Sequence, residues 1–225
     1  MDHMKSERRS FFTAINSRIA ALAAMAAGTA LAQTKTETPW QPARHDKDDW
    51  FDKLPSKHRL VFDTTNADGF GEALRFAGNF IRVNQADYGV PSSELSVVIV
   101  ARHRSTPFGW NDAIWAKYGE SITSFEDPKT KKPATQNVFN ATDYGNALTN
   151  GGTTVNSILK QGVQLAVCNS ATRALAGMIA TKAGAKTDDI YAEITSNLLS
   201  NARMVPAGIV AVSRAQERGY TLVKS

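Results

Sequence analysis

Residues 162–173 read GVQLAVCNSATR, a short apolar run that passes directly into a helix-forming segment. The run ends at Cys168, the only cysteine of the chain. A buried strand that opens at once into a helix is half of a βαβ unit. We expect Asn169 or Ser170 to cap this helix, because both side chains can accept a hydrogen bond from a free backbone N–H.

This arrangement places Cys168 at the carboxyl end of a strand, which is the edge where open α/β sheets bind their ligands. The dipole of the following helix favours a negative charge there, so a thiolate would be stabilised. Such a thiolate could accept or carry sulfur, or form a mixed disulfide. The alternative is that Cys168 is a small core residue, since free cysteine is among the most buried residue types.

Predicted strands and helices alternate along the rest of the chain. The strands fall at 59–64, 95–101, 163–167, 204–206 and 220–223, and the helices at 70–88, 110–118, 153–160, after Cys168 to 183, 188–201 and 208–218. This order predicts an α/β fold, a doubly wound, mainly parallel five-stranded sheet with helices on both faces. A chain of 225 residues is long enough for one such core.

The first 32 residues have the pattern of a signal peptide. A basic start, Arg8-Arg9-Ser10-Phe11-Phe12, precedes an apolar stretch at 19–31, and Ala30-Leu31-Ala32 supplies small residues for cleavage. The twin arginine favours a twin-arginine signal over the Sec route, although Glu7 and Arg18 depart from that pattern. We therefore expect a periplasmic protein with no stable membrane anchor after signal removal; the alternative is a retained amphipathic helix.

Two further segments lack a regular pattern. Residues 33–57 are polar and proline-rich, and we interpret them as an extended arm with one turn around 48–53. Trp40, Trp50 and Phe51 could pin this arm to the body or to a neighbouring subunit, and a disordered linker is the alternative. Residues 124–150 are rich in Lys, Asn, Thr and Gly, and we predict a long surface insertion within a domain at 58–225.

Composition and motifs exclude several classes of function. Removing residues 1–32 lowers the charge from +5 to +3, with 22 basic and 19 acidic residues left and no Lys/Arg run, so nucleic acid is not an expected partner. A single cysteine excludes an intramolecular disulfide and a multi-cysteine zinc site. His45, His58 and His103 are scattered, so we expect no metal, and a metal-dependent hydrolase is disfavoured. No dinucleotide, Walker or nucleophile-elbow motif occurs, and no cofactor is expected.

A basic trio, Arg102-His103-Arg104, follows the predicted strand at 95–101. If this strand neighbours the one that ends at Cys168, the trio faces the same crevice as the thiol. His103 could then take the thiol proton, and an arginine could hold an anion such as a sulfur oxyanion. The alternative is a solvated basic loop. The aromatic segment that follows, at 107–118, could wall a pocket, but core or subunit packing is favoured.

The carboxyl half of the sequence resembles the DsrE/DsrF-like family. The resemblance is carried by the strand 162–168 ending in Cys168, by Val205-Pro206-Ala207-Gly208-Ile209-Val210 after the next helix, and by Ala215-Gln216-Glu217-Arg218-Gly219-Tyr220. The strand at 95–101 also resembles the family's second strand, which often ends in a histidine. The match covers roughly residues 58–224 and is most specific in its final part.

The resemblance implies a doubly wound DsrE-like fold and a homo-oligomer, commonly a trimer or hexamer. In sulfur-relay members the cysteine at the position of Cys168 carries a persulfide, so a sulfur donor or acceptor protein is an implied partner. This sequence differs from the family pattern in its export signal, in the insertion after residue 104, and in having no second cysteine.

Two functional hypotheses follow. In the first, an exported DsrE-like protein binds or relays sulfur on Cys168, with His103 assisting and Arg102, Arg104 and Asn169 contacting the substrate; this is a carrier rather than a turnover enzyme. In the second, the protein is a non-catalytic oligomeric binding module in which Cys168 is structural. The aromatic segment and residues 124–150 would then bind a small ligand or a partner protein.

Overall fold

A five-stranded parallel sheet forms the centre of the protein. The computed structural model describes residues 40–54, 57–122 and 125–225, and one compact unit spans Pro42–Ser225. The strands are β1 His58–Thr64, β2 Leu95–Ala101, β3 Gln164–Cys168, β4 Ala202–Val205 and β5 Thr221–Lys224. Their order in the sheet is β4-β3-β2-β1-β5, and every neighbouring pair is parallel. The predicted α/β class is therefore confirmed; the predicted signal peptide lies outside the described residues.

Helices cover both faces of this sheet. They are α1 Ala67–Tyr88, α2 Asp112–Tyr118, α3 Val155–Lys160, α4 Asn169–Ala183, α5 Thr187–Thr195 and α6 Gly208–Gln216. The long α1 begins after Asn66, whose side chain accepts the N–H of Gly69, and ends at Gly89 in the left-handed conformation. The Asn111 side chain caps α2 by accepting the N–H groups of Ala113 and Ile114, whereas α5 begins after Lys186 without a side-chain cap. Among the described residues, no helix has the length and apolarity needed to cross a membrane.

Side chains of the strands alternate between two cores, as the pleat of a sheet requires. Phe62, Ile99 and Val167 point into a large core that includes residues of all five helices from α1 to α5; we call this the aromatic face. Val61, Val100 and Ala166 point into a smaller core, which α6 and the segment before β1 cover in the described part of the chain. We call this second side the thin face.

The aromatic face is centred on Phe108, which lies in a short 3₁₀ helix after β2. Its ring lies within 5.5 Å, centroid to centroid, of the rings of Phe70, Trp115, Phe125 and Phe139. Trp110 and Trp115 are also fully buried. The aromatic residues at 107–118 are thus buried in the core.

The segment at 125–150 is not confined to the surface, in contrast to the sequence-based expectation. Val138 and Phe139 are buried in the core of the aromatic face. The side-chain amide of Asn137 donates to the carbonyl oxygens of Phe108 and Trp110, at 2.9 and 3.3 Å. The apolar residues of the 125–150 segment are too widely spaced to produce a helical or strand period, so the sequence pattern did not reveal that they are buried.

Residues 42–54 belong to the thin face. A 3₁₀ helix, Asp46–Phe51, falls where the sequence predicted a turn, and it buries Trp50 and Phe51. The Tyr220 hydroxyl donates to the carbonyl of Phe51 at 3.2 Å, and Arg218 Nε donates to Asp52 at 3.2 Å. This part of the predicted arm is therefore packed against the sheet and α6.

Candidate functional site

Cys168 is both the last residue of β3 and the N-cap of α4. Its Sγ accepts the backbone N–H of Ala171 at 3.5 Å, and the Thr172 hydroxyl donates to its carbonyl oxygen at 2.9 Å. The prediction that Asn169 or Ser170 caps this helix is wrong, because Asn169 is already helical. The sulfur itself thus receives a free N–H at the helix start, where the helix dipole favours negative charge.

The side chain of Cys168 lies on the thin face. It follows Ala166 by two residues, and Ala166 is part of the smaller core. Only 6% of Cys168 is exposed. The thiol is therefore enclosed, and any ligand would have to reach it past the groups that cover it.

Arg102 follows β2, the strand next to β3. The pairing of Ala101 with Val167 places the residue after β2 beside the end of β3. The guanidinium of Arg102 forms a bidentate ion pair with Asp63 at the end of β1, with Nε–Oδ1 at 2.6 Å and Nη2–Oδ2 at 2.8 Å. The Arg102 side chain is 24% exposed and that of Asp63 is 8% exposed, so this pair is largely shielded from water.

Cys168 contributes to the electrostatics of the ion pair between Asp63 and Arg102. The hydrogen bonds to Asp63 raise the pKa of the Arg102 guanidinium above its ordinary value. Burial opposes this shift, and attraction to negative charge on Cys168 adds to it. The positive charge of Arg102 is therefore held by Asp63 at the end of the strand next to β3. Asp63, which holds Arg102 in place, was not recognised as a site residue from the sequence.

Gly208, the first residue of α6, determines how closely this helix approaches Arg102. A Cβ atom at this position would lie 2.4 Å from the Cβ of Arg102, a distance that no side chain tolerates. The Ser170 hydroxyl donates to the carbonyl of Pro206 at 3.1 Å and joins the start of α4 to the loop before α6. The Val205–Gly208 motif thus closes the thin face over the end of β3.

His103 and Arg104 are exposed, in contrast to Arg102. His103 has a φ of 57°, a left-handed conformation that is uncommon outside glycine and is enriched at functional sites. The loop around it is held by backbone contacts: the N–H of Arg104 donates to Thr65 at 3.0 Å, and the N–H of Arg102 donates to the Ser105 hydroxyl at 3.0 Å. Within the described residues, the His103 ring makes no hydrogen bond to Cys168.

Asn169 is half-buried and is held from α5. The hydroxyl of Tyr191 donates to its Oδ1 at 2.8 Å, and the guanidinium of Arg173 lies 3.9 Å from the centre of the Tyr191 ring. The hydrogen bond from Tyr191 occupies the side-chain oxygen of Asn169 and leaves the amide N–H groups of Asn169 for a ligand. Tyr191 was missed in the sequence because its contact with Asn169 depends on the packing of α4 against α5.

These positions bring an enclosed thiol, a fixed guanidinium and a helix N-terminus together. A guanidinium and a helix N-terminus are both groups that hold anions in proteins. Neither of two open clefts, of about 440 and 600 Å³, is lined by Cys168. In the part of the chain that the structure describes, no three His, Cys, Asp or Glu residues are grouped to hold a metal ion.

Comparisons with known proteins identify no family for this chain. No family model matches it, and no curated protein matches it. A search of solved structures finds a protein of unknown function, MTH1491 from Methanobacterium thermoautotrophicum, with 16% sequence identity and a TM-score of 0.38. The match covers 75% of this chain and 100% of that chain. A likeness of this degree carries no functional inference, so the function has to be inferred from the residues around Cys168.

Proposed function

We propose that the protein binds or relays sulfur as a persulfide on Cys168. The observation that supports this most directly is the position of the thiol, as N-cap of α4 beside the guanidinium that Asp63 holds. A helix N-terminus and a neighbouring cation are the two features that activate cysteines in proteins. The resemblance to the DsrE/DsrF-like family points to the same residue.

The proposed transfer needs only one cysteine. The thiolate of Cys168 attacks the terminal sulfur of a donor persulfide, R–S–SH. A new sulfur–sulfur bond forms on Cys168, the donor's sulfur–sulfur bond breaks, and R–S⁻ leaves with the electron pair. The acceptor thiolate then repeats the same exchange on the terminal sulfur of the Cys168 persulfide. No resolving thiol is required, because no disulfide forms within the chain.

Each candidate residue has a distinct role in this proposal. Arg102 stabilises the anionic sulfur before and after transfer, and Arg104 attracts an anionic donor from solvent. His103 accepts the thiol proton after a change in its side-chain position, because it is exposed in this structure. Asn169 contributes an amide N–H to the incoming sulfur.

We further propose that the protein is exported to the periplasm, has a DsrE-like arrangement and acts as a homo-oligomer, commonly a trimer or hexamer in that family. Its partner would be a sulfur donor or acceptor protein. Support for export comes only from the pattern of residues 1–32, which lie outside the described residues.

The test is sulfur loading of the purified protein. The wild type, Cys168→Ser and Arg102→Gln would be incubated with a soluble polysulfide and analysed by intact mass. We expect the wild type to gain one sulfur atom, Cys168→Ser to gain none, and Arg102→Gln to load more slowly. An exposed control on the same helix, Lys182→Gln, should load like the wild type. Equal loading of wild type and Cys168→Ser would exclude the proposal.

A non-catalytic binding module with a structural cysteine is the second candidate, and the 6% exposure of Cys168 favours it. Its test is the rate at which iodoacetamide labels the native protein compared with the denatured protein. Labelling only after denaturation, together with no sulfur loading, would support the binding module. Deletion of residues 124–150 is not a clean test, because Phe139 and its neighbours form part of the core.

A further inference from the structure

The cleft of about 440 Å³ lies between α1 and α3, and the proposed sulfur chemistry does not use it. On α1, the residues that line it recur every three or four positions and form one stripe. The lining consists of Arg75, Gly78, Asn79, Arg82, Gln85, Thr153, Ser157, Ile158 and Gln161. Two cations, several amides and two hydroxyls are present, and the lining contains no carboxylate.

Arg75 and Arg82 differ from half of the ten arginines in the described residues. Many of those arginines have a carboxylate within 3.7 Å, namely Arg44, Arg102, Arg173, Arg214 and Arg218. Neither Arg75 nor Arg82 forms an ion pair with a described residue. Arg75 makes none even with Glu72, which lies one turn before it on α1. The positive charge of the cleft is therefore uncompensated within the described part of the chain.

The shape of the cleft is set by glycines at two points. A Cβ at Gly151 would lie 3.3 Å from the Cδ of Arg75, and the φ of 55° at Gly151 disfavours any other residue. A Cβ at Gly78 would lie 3.3 Å from the Cδ1 of Ile158, which is buried and forms the floor. These glycines let the arginine stem and the two helices approach closely, so the cleft does not depend on flexible side chains alone.

We propose that this cleft binds a small molecule with phosphate-type anions, such as pyrophosphate or a diphosphate ester. A guanidinium presents paired N–H groups that match phosphate oxygens. Arg75 and Arg82 are two turns apart, roughly 10 Å along the helix axis, so their long side chains can converge on neighbouring phosphates. The amides of Asn79 and Gln161 and the hydroxyl of Thr153 add neutral contacts. This site is independent of Cys168.

The test is calorimetric titration of the full chain with sodium pyrophosphate. We expect a dissociation constant of about 1 mM or tighter, and at least a roughly tenfold loss of affinity in Arg75→Gln and in Arg82→Gln. Both arginines are exposed, so the variants should fold, which a thermal melt would check. The control is Lys182→Gln on α4, which removes the same charge from an exposed position and should bind within about twofold of the wild type.

Two results would overturn the proposal. One is the absence of binding heat for the wild type, or equal affinity in the wild type and both cleft variants. The other is binding to phosphatidylglycerol vesicles in a sedimentation assay without any binding of pyrophosphate, which would assign the positive stripe to a membrane surface. Neither result depends on Cys168, so sulfur loading and pyrophosphate binding can fail separately.

Discussion

On the aromatic face of the sheet, five helices and the segment at 125–150 cover the strands, and aromatic rings from α1, α2 and that segment surround Phe108. On the thin face, one helix and a 3₁₀ helix of six residues cover the same strands. The first face gains its stability from buried apolar area, whereas the second contains the buried ion pair of Asp63 and Arg102. The difference indicates that the aromatic face stabilises the fold, which allows the thin face to hold charged groups beside Cys168.

The largest expected effect is on the aromatic face. We expect Phe108→Ala to lower the free energy of unfolding by about 4 kcal/mol, because it leaves a cavity among four packed rings. Phe51→Ala on the thin face should cost less, about 3 kcal/mol, since α6 and residues 46–51 can move inward. Urea denaturation measures both values. A larger loss for Phe51→Ala would show that the thin face is the main source of stability.

The next effect concerns the ion pair. Asp63→Asn should lower the free energy of unfolding by about 3 kcal/mol, because it leaves the largely buried guanidinium of Arg102 without its carboxylate. The double variant Asp63→Asn/Arg102→Gln should cost less than the sum of the single variants. The control is Glu94→Gln in the exposed Lys57–Glu94 pair, with an expected change of about 0.5 kcal/mol. Additivity of the two single variants would mean that the pair is not coupled.

A smaller effect is expected at the start of α6. Gly208→Ala should lower the free energy of unfolding by about 2 kcal/mol and slow sulfur loading, because the added Cβ displaces Arg102. The matched control is Gly177→Ala in α4, where a Cβ would lie 3.9 Å from Thr187. That substitution should stabilise the helix by about 0.5 kcal/mol. Equal changes in the free energy of unfolding for both variants would mean that the close contact at Gly208 does not affect stability.

The smallest effect depends on pH and belongs to the 125–150 segment. Burial alone would raise the pKa of Asp127, but hydrogen bonds from Tyr144, Thr130 and Lys129 outweigh it and hold this pKa below its ordinary value. Burial and the bond to Asp127 raise the pKa of Tyr144 to about 12, so its hydroxyl remains a donor. A depressed carboxyl pKa contributes stability above the unfolded-state pKa, and this contribution is lost as pH falls through the folded-state value.

Tyr144→Phe removes this hydroxyl and retains the ring. We expect it to cost about 1.5 kcal/mol near pH 7, and less as the pH falls through the lowered folded-state pKa of Asp127, where the carboxylate gains a proton. Thermal melts of both proteins over a series of decreasing pH values measure the difference. A cost that does not change with pH would mean that the bond to Asp127 does not contribute through its charge.

The sequence predicted the strands well where apolar residues are continuous. Residues 95–101 form β2 with the expected bounds, because a strand covered on both faces is apolar along its whole length. The segment at 125–150 was less predictable, since Phe139 and Tyr144 are buried through short turns that have no period. The N-cap of α4 was mispredicted: Asn169 has the better capping side chain, but Cys168, which pairs with Val205 at the end of β3, is itself the N-cap.

The candidate site was predictable only in part. The position of Cys168 at a strand end and of Arg102 after the neighbouring strand follows from the order of elements. Asp63 was hidden because it lies inside a predicted strand, and its partner becomes apparent only when β1 is known to pair with β2. Arg102 is less exposed than His103 and Arg104. This difference depends on one residue in the left-handed conformation, which no local pattern predicts.

The position of β5 beside β1 also sets a condition on how the chain folds during synthesis. The guanidinium of Arg59, in the first strand, donates to the carbonyl of Arg218, 159 residues later in the chain. Until the last strand has left the ribosome, the outer edge of β1 has no strand to pair with, and unpaired edges are sites of aggregation. Contacts between such distant residues also slow folding, because a long loop must close first. The nascent protein is thus open to aggregation at this edge until β5 has been synthesised.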